Sequence, residues 1–298
     1  MDIVLLFPGQ GSQKPGMGRD LADAFPAARD VFGAVDAALG APLGRLMFEG
    51  PAEELTLTHN AQPALLAHSA AVWRLVCDEI GHHVRAAAGH SLGEFTAYHA
   101  AGALELTDAA CLVRRRGELM FETGVQRPGG MAALLGDPDR PIEAICQDAS
   151  REAGLVVPAN YNSPGQLVIS GEVAGVERAM ELAKAAGVKR AVRLNVSGAF
   201  HSPLMEPARE ELEAAIAATE FKNPTCPVYQ NVDAHPYIDP AMIKQNLINQ
   251  LTSPVRWTQT VQKMVENGAT KFTEVGPGSV LQGLVKKIAK EVETSGIN

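Results

Sequence analysis

The tightest restriction on the fold lies between Val84 and Gly102. A run of small apolar residues, Val84 to Ala88, leads into Gly89-His90-Ser91-Leu92-Gly93, and a helical pattern then continues to about Ala101 before Gly102 stops it. A Gly-x-Ser-x-Gly segment between a strand and a helix is a strained turn that only small flanking residues permit, and it leaves the serine hydroxyl exposed at the helix N-terminus. Such a turn needs a strand inside a mostly parallel sheet, so the surrounding chain should read as α/β. It does so at the start: Ile3 to Phe7 is an unbroken apolar run closed by Pro8-Gly9, as expected of a buried parallel strand. Helical patterns follow over Asp20 to Leu39 and Ala61 to Ile80, and Thr107 is placed to cap another helix reaching about Thr123.

After Arg127-Pro128-Gly129-Gly130 the pattern changes. Met131 to Leu135 reads as strand, Ile142 to Ala153 as helix, Leu155 to Asn160 and Gln166 to Ser170 as strands, Val173 to Ala186 as helix and Val188 to Val196 as strand. That is the βαββαβ order of a ferredoxin-like unit. The larger pattern then resumes. Ser202-Pro203 and Ser253-Pro254 are expected to start helices, Pro227 to Asn231 and Lys271 to Val275 to be strands, the latter ending in Gly276-Pro277-Gly278.

The 298 residues supply ample core for one large or two modest domains, and 46% hydrophobic with 20% charged residues is an ordinary globular balance. A net charge of -8 argues against nucleic acid or an anionic membrane as partner, because the average surface would repel either. Cys77, Cys111, Cys146 and Cys226 are scattered without a CxxC pair, which predicts reduced core thiols, and the apolar run ending at Pro8 has neither a basic leader nor the length of a signal or membrane segment. A cytoplasmic protein is expected, with no metal, since neither HExxH nor a Cys/His ligand spacing occurs.

A serine hydroxyl is a weak nucleophile and needs a base, most often histidine. Of the eight histidines, His201 stands out because Gly198-Ala199-Phe200-His201-Ser202-Pro203 puts it in a loop between a predicted strand and a helix start, where α/β sites assemble. The backbone N–H of Leu92, at a helix start, is placed to receive an oxyanion. In the first loop, Phe7-Pro8-Gly9-Gln10-Gly11-Ser12-Gln13 breaks the GxGxxG dinucleotide pattern at Lys14, but glycines flanking Gln10 would let its N–H approach a ligand as a second oxyanion donor. On the helix after Thr107, Ala109, Leu112, Val113 and Met120 share an apolar face with Arg116 in its middle. A guanidinium there needs a carboxylate, which either a protein acid or a substrate could provide.

Taken in order, the opening Phe-Pro-Gly-Gln-Gly-Ser-Gln, Gly-His-Ser-Leu-Gly-Glu at 89–94, Arg116, Asn160-Tyr161-Asn162-Ser163-Pro164-Gly165-Gln166, Gly198-Ala199-Phe200-His201-Ser202 and Glu274-Val275-Gly276-Pro277-Gly278 resemble the malonyl-CoA:acyl carrier protein transacylases of fatty acid synthesis and the related acyltransferase domains of polyketide synthases, essentially end to end. The resemblance implies an α/β-hydrolase-like core with a parallel sheet, residues 1–127 and 198–298, interrupted by a small ferredoxin-like subdomain, residues 128–197. It implies a Ser91–His201 dyad, Arg116 holding a malonyl carboxylate, an oxyanion hole of the Gln10 and Leu92 amides, and a main-chain carbonyl near Gln250 orienting the histidine in place of an aspartate. Asn162 and Gln166 would border the cleft, and Phe200 would exclude α-branched acyl groups. A coenzyme A thioester and an acyl carrier protein are the implied partners, no cofactor is expected, and a monomer is the default expectation. Lys189, Arg190 and Arg193, or Lys286, Lys287 and Lys290, are candidate contacts for an acidic carrier, or simply solvated charges. Three rivals remain open: a serine esterase or thioesterase, a non-catalytic docking protein, and a transferase of a polyketide or malonate decarboxylase system.

Overall fold

The computed structural model describes residues 2–298. Its strands in chain order are β1 Ile3–Phe7, β2 Val84–Gly89, β3 Gly129–Leu135, β4 Val156–Ser163, β5 Gln166–Glu172, β6 Arg190–Arg193, β7 Val228–Tyr229, β8 Pro236–Tyr237, β9 Lys271–Val275 and β10 Glu293–Ile297. Six of them form one sheet in the order β10-β9-β1-β2-β7-β8, parallel throughout except at the β7–β8 edge. The unbroken apolar run of β1 is explained by its central position: all five residues are buried, and alternate side chains enter different cores. Ile3, Leu5 and Phe7 pack with the Thr58–Ile80 and Leu106–Gln126 helices, while Val4 and Leu6 pack with Trp257, Val261, Met264, Leu284 and Val285 from helices on the opposite face. Because the strands are parallel, the C-terminal ends of β1, β2 and β7 lie along one edge, and the loops leaving them carry Gln10, Ser91 and Asn231 to the same place.

The other four strands make a separate antiparallel sheet, β4-β5-β3-β6. The Ile142–Ala153 and Val173–Ala185 helices pack on its Ala132, Leu134 and Ile169 side, whereas Met131 and Val168 point away from them and join the core of the larger body. One face of this small sheet therefore forms a wall against the larger one. The edge strand β4 is tied down by Val255, whose N–H donates to Ala159 O (2.8 Å) and whose carbonyl accepts from Tyr161 N–H (2.9 Å). Among the described residues no helix is long and apolar enough to cross a membrane.

Several local expectations need correction. The helix expected over Asp20 to Leu39 is two, Arg19–Ala24 and Pro26–Leu39, because Phe25 precedes proline and is extended (φ -127°). Thr107 caps nothing: its helix begins at Leu106 with Glu105 in the cap position. Ser253-Pro254 does not start a helix, which waits until Trp257, because Val255 is engaged with β4. The strands expected at 188–196 and 227–231 shrink to Arg190–Arg193 and Val228–Tyr229. Of the cysteines, all free, Cys146 and Cys226 are buried, but Cys111 is exposed and Cys77 only partly covered, since Cys111 lies off the stripe that contains Leu112 and Val113. The Val280–Ile288 helix and β10 complete the larger body without any corresponding expectation from sequence.

Candidate active site

β2 ends at Gly89 and the next helix begins at Gly93, so the chain reverses within three residues. A Cβ at Gly89 would overlap the Gly93 carbonyl carbon, and one at Gly93 would overlap the carbonyl oxygen of Phe7, so both glycines are required by backbone crowding. Ser91 itself takes a left-handed conformation (φ 53°), which costs a non-glycine residue about 1–3 kcal/mol and persists because the surroundings hold it. Part of that hold is Asn231: its Oδ1 accepts from Ser91 N–H (2.7 Å) and its Nδ2 donates to Gly89 O (2.8 Å).

His201, also left-handed (φ 56°), lies in the turn just before Ser202, whose hydroxyl accepts from Leu204 N–H at the start of the next helical turn. Its Nε2 is 2.8 Å from Ser91 Oγ. Its Nδ1 faces two carbonyl oxygens, Gln250 O at 3.0 Å and Ser253 O at 3.2 Å. Carbonyls only accept, so Nδ1 carries the proton and Nε2 presents its lone pair to the serine. Burial first, and the Arg116 charge second, push the imidazole down to about 3, so it stays neutral at physiological pH with Nε2 unprotonated.

Arg116 is 1% exposed. Its Nη1 donates to Gln62 Oε1 (2.7 Å), and its Nη2 donates to Gln250 Oε1 (2.9 Å) and to Ser91 Oγ (3.1 Å). Every one of these acceptors is neutral, and among the described residues Nε has no partner at all. The question left open by the sequence is thereby narrowed: among the described residues no carboxylate pairs directly with this guanidinium. Burial lowers it to about 10, which leaves it charged at neutral pH, with Glu94 the acid that partly offsets the penalty. Glu94 is itself fully buried and pushed up to about 7 by desolvation, against hydrogen bonds from Asn231 N–H and Gln250 Nε2, the Gln230 side chain, and the Arg116 charge.

Ser91, His201 and Arg116 share a cavity of about 420 Å³, walled on one side by Met131, Asn160, Asn162 and Val168 of the small sheet and by Phe200. Gln10 and Leu92 also line it, and among the described residues neither of their backbone N–H groups meets an acceptor. Asn162 Oδ1 is fixed by His90 Nε2 at 2.9 Å. Gln166 is not in this cavity. It borders an adjoining one of about 240 Å³ with His90 and Val280, and accepts from Lys287 Nζ at 3.3 Å. Gln250 is fully buried beneath the site and contributes more than its main-chain carbonyl: Oε1 accepts from Arg116, and Nε2 donates to Ser91 O (3.0 Å) and Glu94 Oε2 (3.0 Å). Gln62, Asn231 and this side-chain role of Gln250 were not expected from the sequence. Gln62 sits inside an otherwise apolar stretch of its helix, a signal similar to the one that singled out Arg116.

The acyl transferase domain family model matches residues 4–296. The chain is 48% identical over 296 residues to the malonyl CoA-acyl carrier protein transacylase of Bacillus subtilis, covering 99% of this chain and 93% of that one, and 43% identical to the Escherichia coli K12 protein of the same description, covering 99% and 96%. Among solved structures it is similar to an acyl-carrier-protein S-malonyltransferase from Bartonella henselae (TM-score 0.95, 44% identity, 100% and 95% covered). It is also similar to a malonyl-transacylase in complex with its type II polyketide synthase acyl carrier protein (TM-score 0.96, 42% identity, 100% and 96% covered).

Proposed function

The chain belongs to the acyl transferase domain family, and we propose that it moves a malonyl group from coenzyme A to the phosphopantetheine thiol of an acyl carrier protein, through an ester on Ser91, in fatty acid synthesis. The observation that carries this reading is one contact point: Ser91 Oγ lies 2.8 Å from a neutral imidazole nitrogen and 3.1 Å from a buried guanidinium whose protein partners are all uncharged. A nucleophile, its base and a receiver for a carboxylate meet within the length of a three-carbon diacid.

In the first half-reaction His201 Nε2 takes the Ser91 proton as Oγ attacks the thioester carbonyl, while the Gln250 and Ser253 carbonyls stabilise the imidazolium through Nδ1–H. The resulting oxyanion is received by the Gln10 and Leu92 amides. The carbon–sulfur bond breaks, His201 returns the proton to the departing thiolate, and coenzyme A leaves as a thiol. In the second half-reaction His201 takes the proton of the carrier's thiol, the sulfur attacks the malonyl ester, and Ser91 regains its hydrogen. Arg116 holds the free carboxylate through both halves, which keeps the acyl carbon in register. Phe200, 5% exposed and lining the cavity, limits space beside the α-carbon.

The antiparallel order β4-β5-β3-β6 with both helices on one face supports reading the insert as a ferredoxin-like subdomain, residues 128–197, within an α/β-hydrolase-like body of residues 1–127 and 198–298. For carrier docking, Lys286, Lys287 and Lys290 are the better supported cluster, since all three are exposed and Lys287 contacts Gln166 beside the cleft, whereas Arg193 is already paired with Glu177 (2.7 Å). We place the enzyme in the cytoplasm.

The test is the mass of the intact protein after mixing with malonyl-CoA and then with holo carrier protein. A malonyl adduct that forms on the wild type, is absent from Ser91→Ala and disappears as the carrier is acylated is the expected result. Loss of the adduct without an acceptor thiol would identify a hydrolase, and no adduct at all would identify a docking protein.

A further inference from the structure

Three side chains perform the proposed chemistry, and each is one residue away from Glu94. Its Oε2 accepts from Asn231 N–H at 2.8 Å and from Gln250 Nε2 at 3.0 Å. Asn231 then holds the serine turn at two points, Ser91 N–H and Gly89 O. Gln250 holds Ser91 O and Arg116 Nη2 with its amide, and His201 Nδ1 with its main-chain carbonyl. Glu94 is 0% exposed and touches neither the cavity nor any cation directly. Its charge is offset by Arg116 without a direct ion pair, and burying such a carboxylate is costly and expected only where its acceptor oxygen is needed.

We infer that Glu94 is a positioning residue, whose one acceptor oxygen fixes Asn231 and Gln250 and through them aligns nucleophile, base and carboxylate receiver at once. The inference rests on the transacylase reading above and adds a residue to it. Geometry makes the orientation of the Gln250 amide unique. Arg116 has only donors, so Oε1 must face it, and Nε2 must then find acceptors on the other side; Glu94 Oε2 and Ser91 O are those acceptors. Without Glu94 the amide would keep a single acceptor for its two hydrogens, and one buried N–H would be left unpaired. The main-chain carbonyl that orients His201 belongs to the same residue. Asn231 N–H and Gln250 Nε2 both donate to Oε2, so a proton on Oε1 would undo neither contact.

Two conservative variants separate acceptor position from charge. Glu94→Gln keeps an acceptor oxygen in place and removes the charge. Glu94→Asp keeps the charge but withdraws the oxygen by one bond, about 1.5 Å. Misplacing a reacting group by about 1 Å can cost about 100-fold in rate. In the full chain, with malonyl-CoA and holo carrier protein, kcat is therefore expected to fall about 100-fold in Glu94→Asp and less than about 10-fold in Glu94→Gln, with KM for the carrier protein unchanged in both. A role in folding or in charge balance alone would reverse the order or move both in proportion to the folded fraction, read by thermal melting. Glu94→Asp turning over as fast as Glu94→Gln overturns the inference. The same samples are weighed after malonyl-CoA alone: a wild type that forms no adduct refutes the transacylase reading, whereas a wild type that does, with equal variants, refutes only the role of Glu94.

Discussion

Replacing Arg116 by alanine should cost malonyl transfer far more than acetyl transfer. The guanidinium is buried, retains its charge and has only neutral partners: Gln62 Oε1, Gln250 Oε1 and Ser91 Oγ. A malonyl carboxylate arriving there forms a desolvated, charge-assisted pair, and truncating one side of such a pair costs about 2–5 kcal/mol. At 1.36 kcal/mol per factor of ten, kcat/KM for malonyl-CoA should fall about 30-fold to several thousand-fold. Acetyl-CoA has no carboxylate to lose. Its transfer should suffer only the loss of the Arg116 contacts to Ser91 Oγ and Gln250 Oε1, hydrogen bonds of about 1 kcal/mol or roughly fivefold each that malonyl transfer loses as well, partly offset because removing the charge lets the His201 imidazole become more basic. The assay is kcat/KM for malonyl-CoA and acetyl-CoA with one holo carrier protein, the variant being checked by its thermal melt. Equal losses for the two substrates would show that Arg116 shapes the site without gripping the acid, and the reading of its neutral environment would be wrong.

Phe200→Ser should raise the methylmalonyl-to-malonyl ratio of kcat/KM by about 10- to 200-fold, the range that one methyl group is worth in a shaped pocket; an unchanged ratio would show that another wall excludes the branch. His68, on the Thr58–Ile80 helix, has no partner for Nδ1 among the described residues and is held down to about 4 by burial, Lys14 adding to the effect and Asp20 opposing it. Its pKa in the folded protein lies below its unfolded value, so unfolded chains bind the extra proton. The stability it leaves intact above pH 6.5 is lost as pH falls toward 4, by up to about 3 kcal/mol. Denaturant titrations at pH 7 and pH 5 should therefore show a shallower acid loss in His68→Gln than in the wild type, and parallel losses would refute the assignment.

The elements that sequence reading located most reliably are those whose own chemistry forces their geometry. The strand at Ile3–Phe7, the helix at Ile142–Ala153 and the strand at Lys271–Val275 have the expected bounds, because continuous burial or a single amphipathic face leaves few alternatives. The Gly-x-Ser-x-Gly turn was legible for the same local reason: glycines at 89 and 93 are demanded by neighbouring backbone. Arg116 was legible as a charge on an apolar stripe. Elements decided by distant contacts were not. Ser253-Pro254 has the form of a helix start, yet Val255 is taken by β4, and the short β7 is a strand only because β2 and β8 flank it.

The sequence by itself determined which residue types could act, a serine on a strained turn, a histidine before a helix start and a misplaced arginine, since each is odd within its own few turns of chain. Only the tertiary structure decided that they meet, that among the described residues no acid bonds directly to the arginine, and that Gln250, Asn231 and Glu94 tie the three together. Those facts depend on contacts spanning 25 to 159 residues of chain, as from Arg116 to Ser91 and from Gln250 to Ser91, and hydrogen bonds of that reach leave no periodic trace in the sequence that makes them.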